Sequence, residues 1–304
     1  MDIDVKEYNS VVLGALLHDV GKFLHRGTPG YEGKHYVASS DFIKDNIGKL
    51  KNDLYDIDLV RFLVYHHHNG NDEIENELKS NGKSVEERER ILRLVKLIKD
   101  ADSYSCIERD KADQDKTDKD KRRSPLDSIF SYVNLDVRKV KEESISRYPL
   151  NSLNPLRSFP ADINLLSDEE IKHLINLFLN NIPDFRQYKR FDDVINVWLN
   201  LLEEYTWAVP SDTRYKISDI SLFDHLKTSA AVSACLYKRH ITEINSNKKI
   251  WKRQYEFVFV GGDFSGIQDY IFNITSGETA GVSKRLRARS LFITLFSEII
   301  IHRI

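Results

Sequence analysis

His18 and Asp19 stand side by side at the end of an apolar helical pattern, in the run LLHDVGK, with Lys22 one turn beyond His18. Neighbouring side chains on a helix point about 100° apart, yet an imidazole and a shorter carboxylate can still converge on one ion lying between their directions. Alone, the pair could equally be capped or solvated surface groups. More of the same chemistry follows: His35 in GKHYVASSDFI, His66, His67 and His68 in VYHHHNG at a helix end, and Asp102 in LIKDADSYSCIER within a further helix. Each has a plain alternative. A triple histidine can be a polar helix terminus, His35 a surface residue, and Asp102 the partner of a nearby arginine. Three consecutive histidines cannot all face one ion, so His68 is expected to stand outside the set of ligands.

Helical spacing extends over residues 8–26, with Asn9 or Ser10 as N-cap and Gly21 near the end, and continues through 38–46, 57–67 and 85–106. The first hundred residues are therefore predicted all-helical. Residues 108–123 alternate acids and bases, with Ala112 the one apolar residue, and are predicted to be a solvated loop. Residues 125–160 are mixed and broken by proline. Helices are expected again over 166–180, 191–206 and the long amphipathic stretch LFDHLKTSAAVSACLYKRH, capped by Asp219 or Ser221. After Trp251 the character changes, with a β-rich run at 255–260, a Gly-rich turn and a renewed helical pattern, so a second domain is expected there. No internal repeat is present.

A length of 304 residues is about twice the ~150 of a typical domain, which allows one large or two modest domains. Lys plus Arg (45) nearly balances Asp plus Glu (47), and the net charge of −2 excludes a protein that coats nucleic acid indiscriminately. Any nucleic-acid site must be local. The two cysteines, Cys106 and Cys235, form no pair at metal-ligand or secretory spacing, which reads as reduced thiols and excludes zinc-ribbon chemistry. No basic leader precedes the apolar stretch at 11–17, and Ser297 and Glu298 interrupt the C-terminal apolar segments well short of the ~20 residues that span a bilayer. The expectation is a cytoplasmic chain with no membrane partner. The chain stops at Ile304, directly after a helical, apolar segment.

The order HD…H…HH…D in an all-helical setting resembles the HD phosphohydrolase superfamily, whose members bind one or two divalent metals and hydrolyse phosphate esters. Such families carry a further metal-binding His on a helix before the HD helix, but only 17 residues precede His18 and none is His. LFDHLKTSAAVSACL, around His225, looks like that missing helix, which implies a circularly permuted domain; the alternative is that His225 lies on a helix surface. The resemblance implies a primary site of His18, Asp19, Asp102 and His225, and a second ion on His35 with His66 or His67. His18, Asp19 and Lys22 would be catalytic, Lys22 neutralising the phosphate. Imidazoles with carboxylates suit Mn²⁺, Ni²⁺, Co²⁺ or Fe²⁺ better than Mg²⁺. An ion of this kind lowers the pKa of bound water and withdraws charge from a phosphoryl oxygen during in-line attack.

Near the C-terminus, FVGGDFSGIQDYIFN places Asp263, Ser265 and Gly266 in a turn, and GVSKRLRARSLFITLF supplies Lys284, Arg285, Arg287 and Arg289. Glycines let backbone amides approach an anion and Asp263 can face a cation, so Asp263, Ser265, Gly266 and Arg287 are the candidate nucleotide-binding set. Such turns also join strands to helices without binding anything. LLHDVGK, KHYVASSDF, the histidine run before Asn69, ADSYSCIER, DISLFDHLKTSAA, DFSGIQDYIF and KRLRARS, in that order, resemble the large subunits of type III-A CRISPR interference complexes, the Csm-type HD-nuclease and cyclase family.

That resemblance implies an HD domain that cuts single-stranded DNA, two palm domains that convert ATP to cyclic oligoadenylates, guide RNA and target RNA that switch both activities on, and other Csm-type subunits as partners. GGDF at 261–264 is not the family's cyclising GGDD, which belongs to the second palm and does not occur here. The expected fold is mainly α: a permuted all-helical HD-phosphohydrolase domain over 1–250, then the start of an α/β ferredoxin-like palm over 251–304. The expected function is a metal-dependent, single-strand-specific deoxyribonuclease without cyclase activity. The alternatives are an HD phosphodiesterase acting on a small nucleotide and a catalytically silent scaffold. A helix over 291–301 without a sheet to cover would leave an apolar patch exposed.

Overall fold

A computed structural model describes residues 3–28, 33–106, 118–133, 145–214, 217–246, 248–250, 257–272 and 281–301. The chain divides into two units, Met1–Phe257 and Val258–Ile304. The principal helices of the first are α1 (Val5–Leu17), α2 (His35–Asp45), α3 (Ile57–His66), α4 (Asn71–Ser80), α5 (Val85–Tyr104), α6 (Asp168–Asn180), α7 (Phe191–Thr206) and α8 (Leu222–Arg239).

Helix α1 is the axis of this unit, packed against α3, α5 and α8 and buried over residues 9–17. Leu13, Leu16 and Leu17 join Phe178, Trp198, Leu202 and Leu226 in one apolar cluster, while Val11 and Ala15 join Leu63, Val95, Ile98 and Tyr237 in another. A helix clothed on all sides in this way is a core helix, and each buried Leu or Phe contributes about 1.5–3 kcal/mol of transfer free energy. Its cap is Asp4, whose Oδ1 accepts from Glu7 N at 3.0 Å, not Asn9 or Ser10. Those two side chains are used across the fold instead: Asn9 donates to Leu54 O at 2.8 Å, and Ser10 Oγ accepts from Asp56 N at 2.8 Å. Helices α5 and α6 open on capping boxes, Ser84 with Glu87 and Ser167 with Glu170. Of the two candidate caps for α8, Ser221 makes the bond, accepting from Asp224 N at 3.0 Å.

The pattern over 8–26 does not form one helix. After Leu17 the chain turns, resumes for Gly21–Leu24 and tightens into a 3₁₀ turn at His25–Gly27. The Gly21 N–H donates to Ser39 Oγ at 2.8 Å on α2. The end of the 108–123 segment departs from the expected loop. Residues 107–117 lie outside the described residues, but Asp118–Arg123 is helical. Its charges are spent on particular partners: Arg122 Nη2 lies 2.6 Å from Asp168 Oδ1, and Arg123 Nε donates to Leu166 O at 2.5 Å. The described parts of 125–160, residues 125–133 and 145–160, are largely irregular, stitched by a short antiparallel pair, β1 (Leu126–Asp127) and β2 (Arg147–Tyr148).

In the second unit, Ile267–Phe272 and α9 (Val282–Ile301) are helical. The strand expected over 255–260 is not formed in its described part, residues 257–260. Val258, Phe259 and Val260 are exposed. Leu291, Phe292, Leu295, Phe296 and Ile299 of α9 are exposed, the patch expected from the sequence. Among the described residues no helix is long and apolar enough to cross a membrane.

Candidate metal centre

The turn that ends α1 carries His18 and Asp19 into the interior, at 0% and 1% exposure. Asp102 comes from the last turn of α5 and His225 from the first turn of α8. His225 Nε2 lies 3.2 Å from Asp19 Oδ2 and 3.3 Å from Asp102 Oδ1, and His18 Nε2 lies 3.4 and 3.6 Å from the same two atoms. The other Asp19 oxygen faces a different set: Oδ1 is 3.1 Å from His35 Nε2 and 3.6 Å from His67 Nε2. His68 Nε2 stands 3.0 Å from His35 Nε2. Two compact donor groups result, His18, Asp19, Asp102 and His225, and Asp19, His35, His67 and His68, with ligand atoms in each within 4.8 Å of one another. Asp19 belongs to both, one oxygen to each. Lys22 Nζ lies 2.6 Å from Asp19 Oδ2, beside the first group.

The imidazoles are aimed by what their far nitrogens touch. His18 Nδ1 donates to Ala15 O at 2.7 Å and His67 Nδ1 to Val64 O at 2.6 Å. A carbonyl can only accept, so in both rings Nδ1 carries a proton and Nε2 is the nitrogen turned to the cluster. His18 Nε2, Asp19 Oδ1 and His67 Nε2 are also buried without a hydrogen-bond partner. An orphaned buried polar atom costs about 1–3 kcal/mol, and three of them converging in one place fit a cation. The donor set passes the test for a divalent metal.

Burial works against charge on His18, but the Asp19 and Asp102 carboxylates outweigh it and push the ring up to about 10. His225, also opposed by burial, is raised to about 9 by Asp102 and Asp19. Against burial, Lys22 and His18 hold Asp19 well below the usual carboxylate range, and His18 and His225 do the same for Asp102. In the second group burial dominates: it lowers His67, and it takes His68 down to about 4 with help from His67 and His35. The first group thus holds ionised carboxylates that demand a cation, and the second offers the neutral imidazoles of His67 and His68.

Backbone packing brings His35 in. A Cβ on Gly21 would lie 2.0 Å from His35 O and 2.6 Å from Ser39 N, so only glycine lets the turn after Asp19 seat on the start of α2. His66 is not brought to either group: its Nε2 lies 3.2 Å from Glu77 Oε2 and its Nδ1 3.3 Å from Asn69 Nδ2. His68, expected outside, stands with His35 instead. Helix α3 ends at His66, and the rings of His67 and His68 lie side by side with centroids 4.2 Å apart. In the second unit Asp263, Ser265, Gly266 and Arg287 are all exposed. Asp263 Oδ1 accepts its neighbour Phe264 N–H at 2.7 Å, and Gly266, at φ +74°, precedes a helix of six residues. The described residues gather these four into no enclosed site.

Residues 4–106 match the HD domain family, and residues 256–304 match the family described as Csm1 subunit domain B. Over 96% of its length the chain is 28% identical to the CRISPR system single-strand-specific deoxyribonuclease Cas10/Csm1 (subtype III-A) of Methanocaldococcus jannaschii. The chain is a homologue of the subtype III-A Cas10/Csm1 proteins. The protein of the same name from Enterococcus italicus is 26% identical over 95% of the chain. The chain spans 38% and 37% of these two relatives, corresponding to an N-terminal portion of the Csm1 proteins. Its fold matches the crystal structure of Csm1 in T. onnurineus with a TM-score of 0.65 at 21% identity, covering 99% of this chain and 37% of that one. A Csm1–Csm4 cassette in complex with pppApApA matches with a TM-score of 0.58 at 20% identity, over 97% of this chain and 36% of that one.

Proposed function

We propose that the first unit is a divalent-metal-dependent phosphodiesterase that cuts single-stranded DNA as part of a type III-A CRISPR effector. The observation that carries this reading is the Asp19 carboxylate, which turns one oxygen to His18 and His225 and the other to His35 and His67. The names of the Cas10/Csm1 relatives support the nucleic-acid substrate.

His18, Asp19, Asp102 and His225 would hold one ion, and Asp19, His35, His67 and His68 a second. The imidazole-rich set suits Mn²⁺, Ni²⁺ or Co²⁺ better than Mg²⁺. When bound, such an ion lowers the pKa of water and withdraws charge from a phosphoryl oxygen. The chain's own residues supply the rest. Lys22, 20% exposed, keeps Asp19 ionised from one side and presents a cation to the incoming phosphodiester. Carbonyls of Ala15 and Val64 fix the His18 and His67 rings so that no reorientation is needed on binding. The cluster opens where His35 (25%) and Asp102 (19%) reach solvent and His68 is exposed, a rim over which a flexible single strand can be drawn more readily than a duplex.

The packing of α8 on α1 and α5 supports reading residues 1–250 as a circularly permuted HD domain, with α8 in the role of the family's first helix. Residues 251–304 are then the start of the first palm. With GGDF and no GGDD in the sequence, no cyclase activity is assigned to them. ATP, guide RNA, target RNA and other Csm-type subunits belong to the larger assembly in this reading, which works in the cytoplasm. The Csm1–Csm4 cassettes among the similar structures support the subunit partners.

The test is direct. Purified chain with Mn²⁺ or Ni²⁺ degrades single-stranded DNA, and a protein carrying both His18→Ala and Asp19→Ala does not; equal activity of the two would overturn the reading. Stronger competition by small nucleotides than by oligonucleotide would instead favour a nucleotide phosphodiesterase. No retained or activating metal would favour a scaffold.

A further inference from the structure

His18 and His67 sit just past the C-terminal ends of their helices, where the last carbonyls lack helical partners and can accept a ring N–H. His225 has no such resource. It lies in the first turn of α8, and a helix N-terminus offers N–H groups rather than carbonyls. Its far nitrogen needs an acceptor from elsewhere, and Ser105 Oγ lies 2.8 Å from His225 Nδ1. Cys106 Sγ, at 3.6 Å, is the more distant and weaker acceptor.

Ser105 caps α5 one turn after Asp102. Its N–H bonds to Ala101 O, and its hydroxyl donates to Asp102 O at 2.7 Å. Ser229, one turn after His225, donates to Ser105 Oγ at 3.0 Å, with His225 O at 2.8 Å the other acceptor within its reach. A serine hydroxyl has one proton and two lone pairs. With the Ser105 proton directed to the Asp102 carbonyl, its oxygen faces His225 as an acceptor, and Nδ1 supplies the hydrogen.

We propose that Ser105, braced by Ser229, is a positioning residue that keeps a proton on His225 Nδ1, so that Nε2 is the nitrogen left to take an ion beside Asp19 and Asp102. The inference rests on the metal-site reading above. Ser105 thereby ties together the two donors that arrive from α5 and α8: its hydroxyl anchors the turn that carries Asp102, and its lone pair aims the ring of His225. The pattern is Asp-x-x-Ser on one helix meeting His-x-x-x-Ser on the other. Partners of this kind behind a metal-binding histidine change metal affinity by about 10–100-fold when removed.

The experiment measures Mn²⁺ affinity by titration calorimetry on the whole 304-residue chain and on Ser105→Ala, Ser105→Val and Ser105→Thr, with the melting curve of each without metal as a control for folding. Ser105→Ala and Ser105→Val are expected to bind Mn²⁺ about 10–100-fold more weakly, while Ser105→Thr, which restores the hydroxyl at the volume of Val, stays close to the native affinity. Native affinity in Ser105→Ala, or equal weakening by Thr and Val, overturns the proposal and leaves the metal site standing. Absence of Mn²⁺ binding by the native chain overturns the metal reading itself. Should the Ser105 variants fail to fold, Ser229→Ala takes their place: weaker Mn²⁺ binding with an unchanged melt supports the proposal, and unchanged binding overturns it.

Discussion

His225 Nε2 lies 3.2 Å from Asp19 Oδ2, although 206 positions separate the two residues. The contact exists because α8 returns to pack along α1 and α5, the helices that carry the other donors of the first group. On the proposed reading His225→Ala removes one of the four donors of the first group. It is expected to reduce cleavage of single-stranded DNA by at least about 10²-fold and to weaken Mn²⁺ binding, with little change in far-ultraviolet circular dichroism. Cleavage within a few-fold of the native rate would remove His225 from the site.

Gly21 gives a prediction about architecture. A methyl group there would stand 2.0 Å from His35 O, a backbone atom that cannot rotate aside. Gly21→Ala should lower stability by about 1–3 kcal/mol, read as a shift in the urea midpoint. It should also weaken the metal group that contains His35 more than the one that contains His225. A variant of native stability would show that the turn and α2 can separate at no cost.

Arg26 is buried, and its guanidinium donates to Ser124 O at 3.1 Å, Arg122 O at 3.3 Å and Pro210 O at 3.2 Å. Three carbonyls from two distant segments depend on one planar fork beside the metal turn. Arg26→Lys keeps the charge but not the fork, so it should be nearly as destabilising as Arg26→Met, each by about 1–3 kcal/mol. Full rescue by lysine in a denaturation experiment would mean that charge, not geometry, is what this position supplies.

The metal-free protein should show a characteristic pH dependence. Neighbouring carboxylates raise His18 to about 10 and His225 to about 9 from an ordinary 6.5, against the effect of burial. Their charged forms contribute stability that is complete below pH 6.5 and is lost as pH rises through about 9–10. After chelation the melting temperature should fall across that window. Because the ion competes with these protons, the rise in melting temperature produced by Mn²⁺ should grow with pH. A pH-independent Mn²⁺ effect would contradict the assignment of these rings as ligands.

Much of the site was legible in the sequence, for reasons visible in the structure. LLHDVGK stood out as a polar pair at the end of an apolar helical pattern, and Asp102, read within a further helix, gained its role from the order of the histidines and aspartates and the resemblance that order carries. His225 was legible only by the likeness of its helix to a known one, since no spacing rule links residues 206 positions apart. His68 was left out because three consecutive histidines cannot all face one ion, and it is His66 that stands apart, beside Glu77 and Asn69. Asn71–Ser80 was not anticipated, since only Ile74 and Leu78 of that helix are buried. In Asp118–Arg123 composition misled: alternating charges suggested solvent, while Arg122 and Arg123 meet Asp168 and Leu166. For residues 257–260 local β propensity suggested a strand that these residues do not form.

The central claim is that the two oxygens of Asp19 serve two metal-binding groups. Anomalous scattering at the manganese edge, from crystals of the chain grown with Mn²⁺, tests it most directly. Two peaks are predicted at about 2.0–2.6 Å from Asp19, one shared with His18, Asp102 and His225 and the other with His35, His67 and His68. A map without a peak at ligand distance from either Asp19 oxygen would contradict the account.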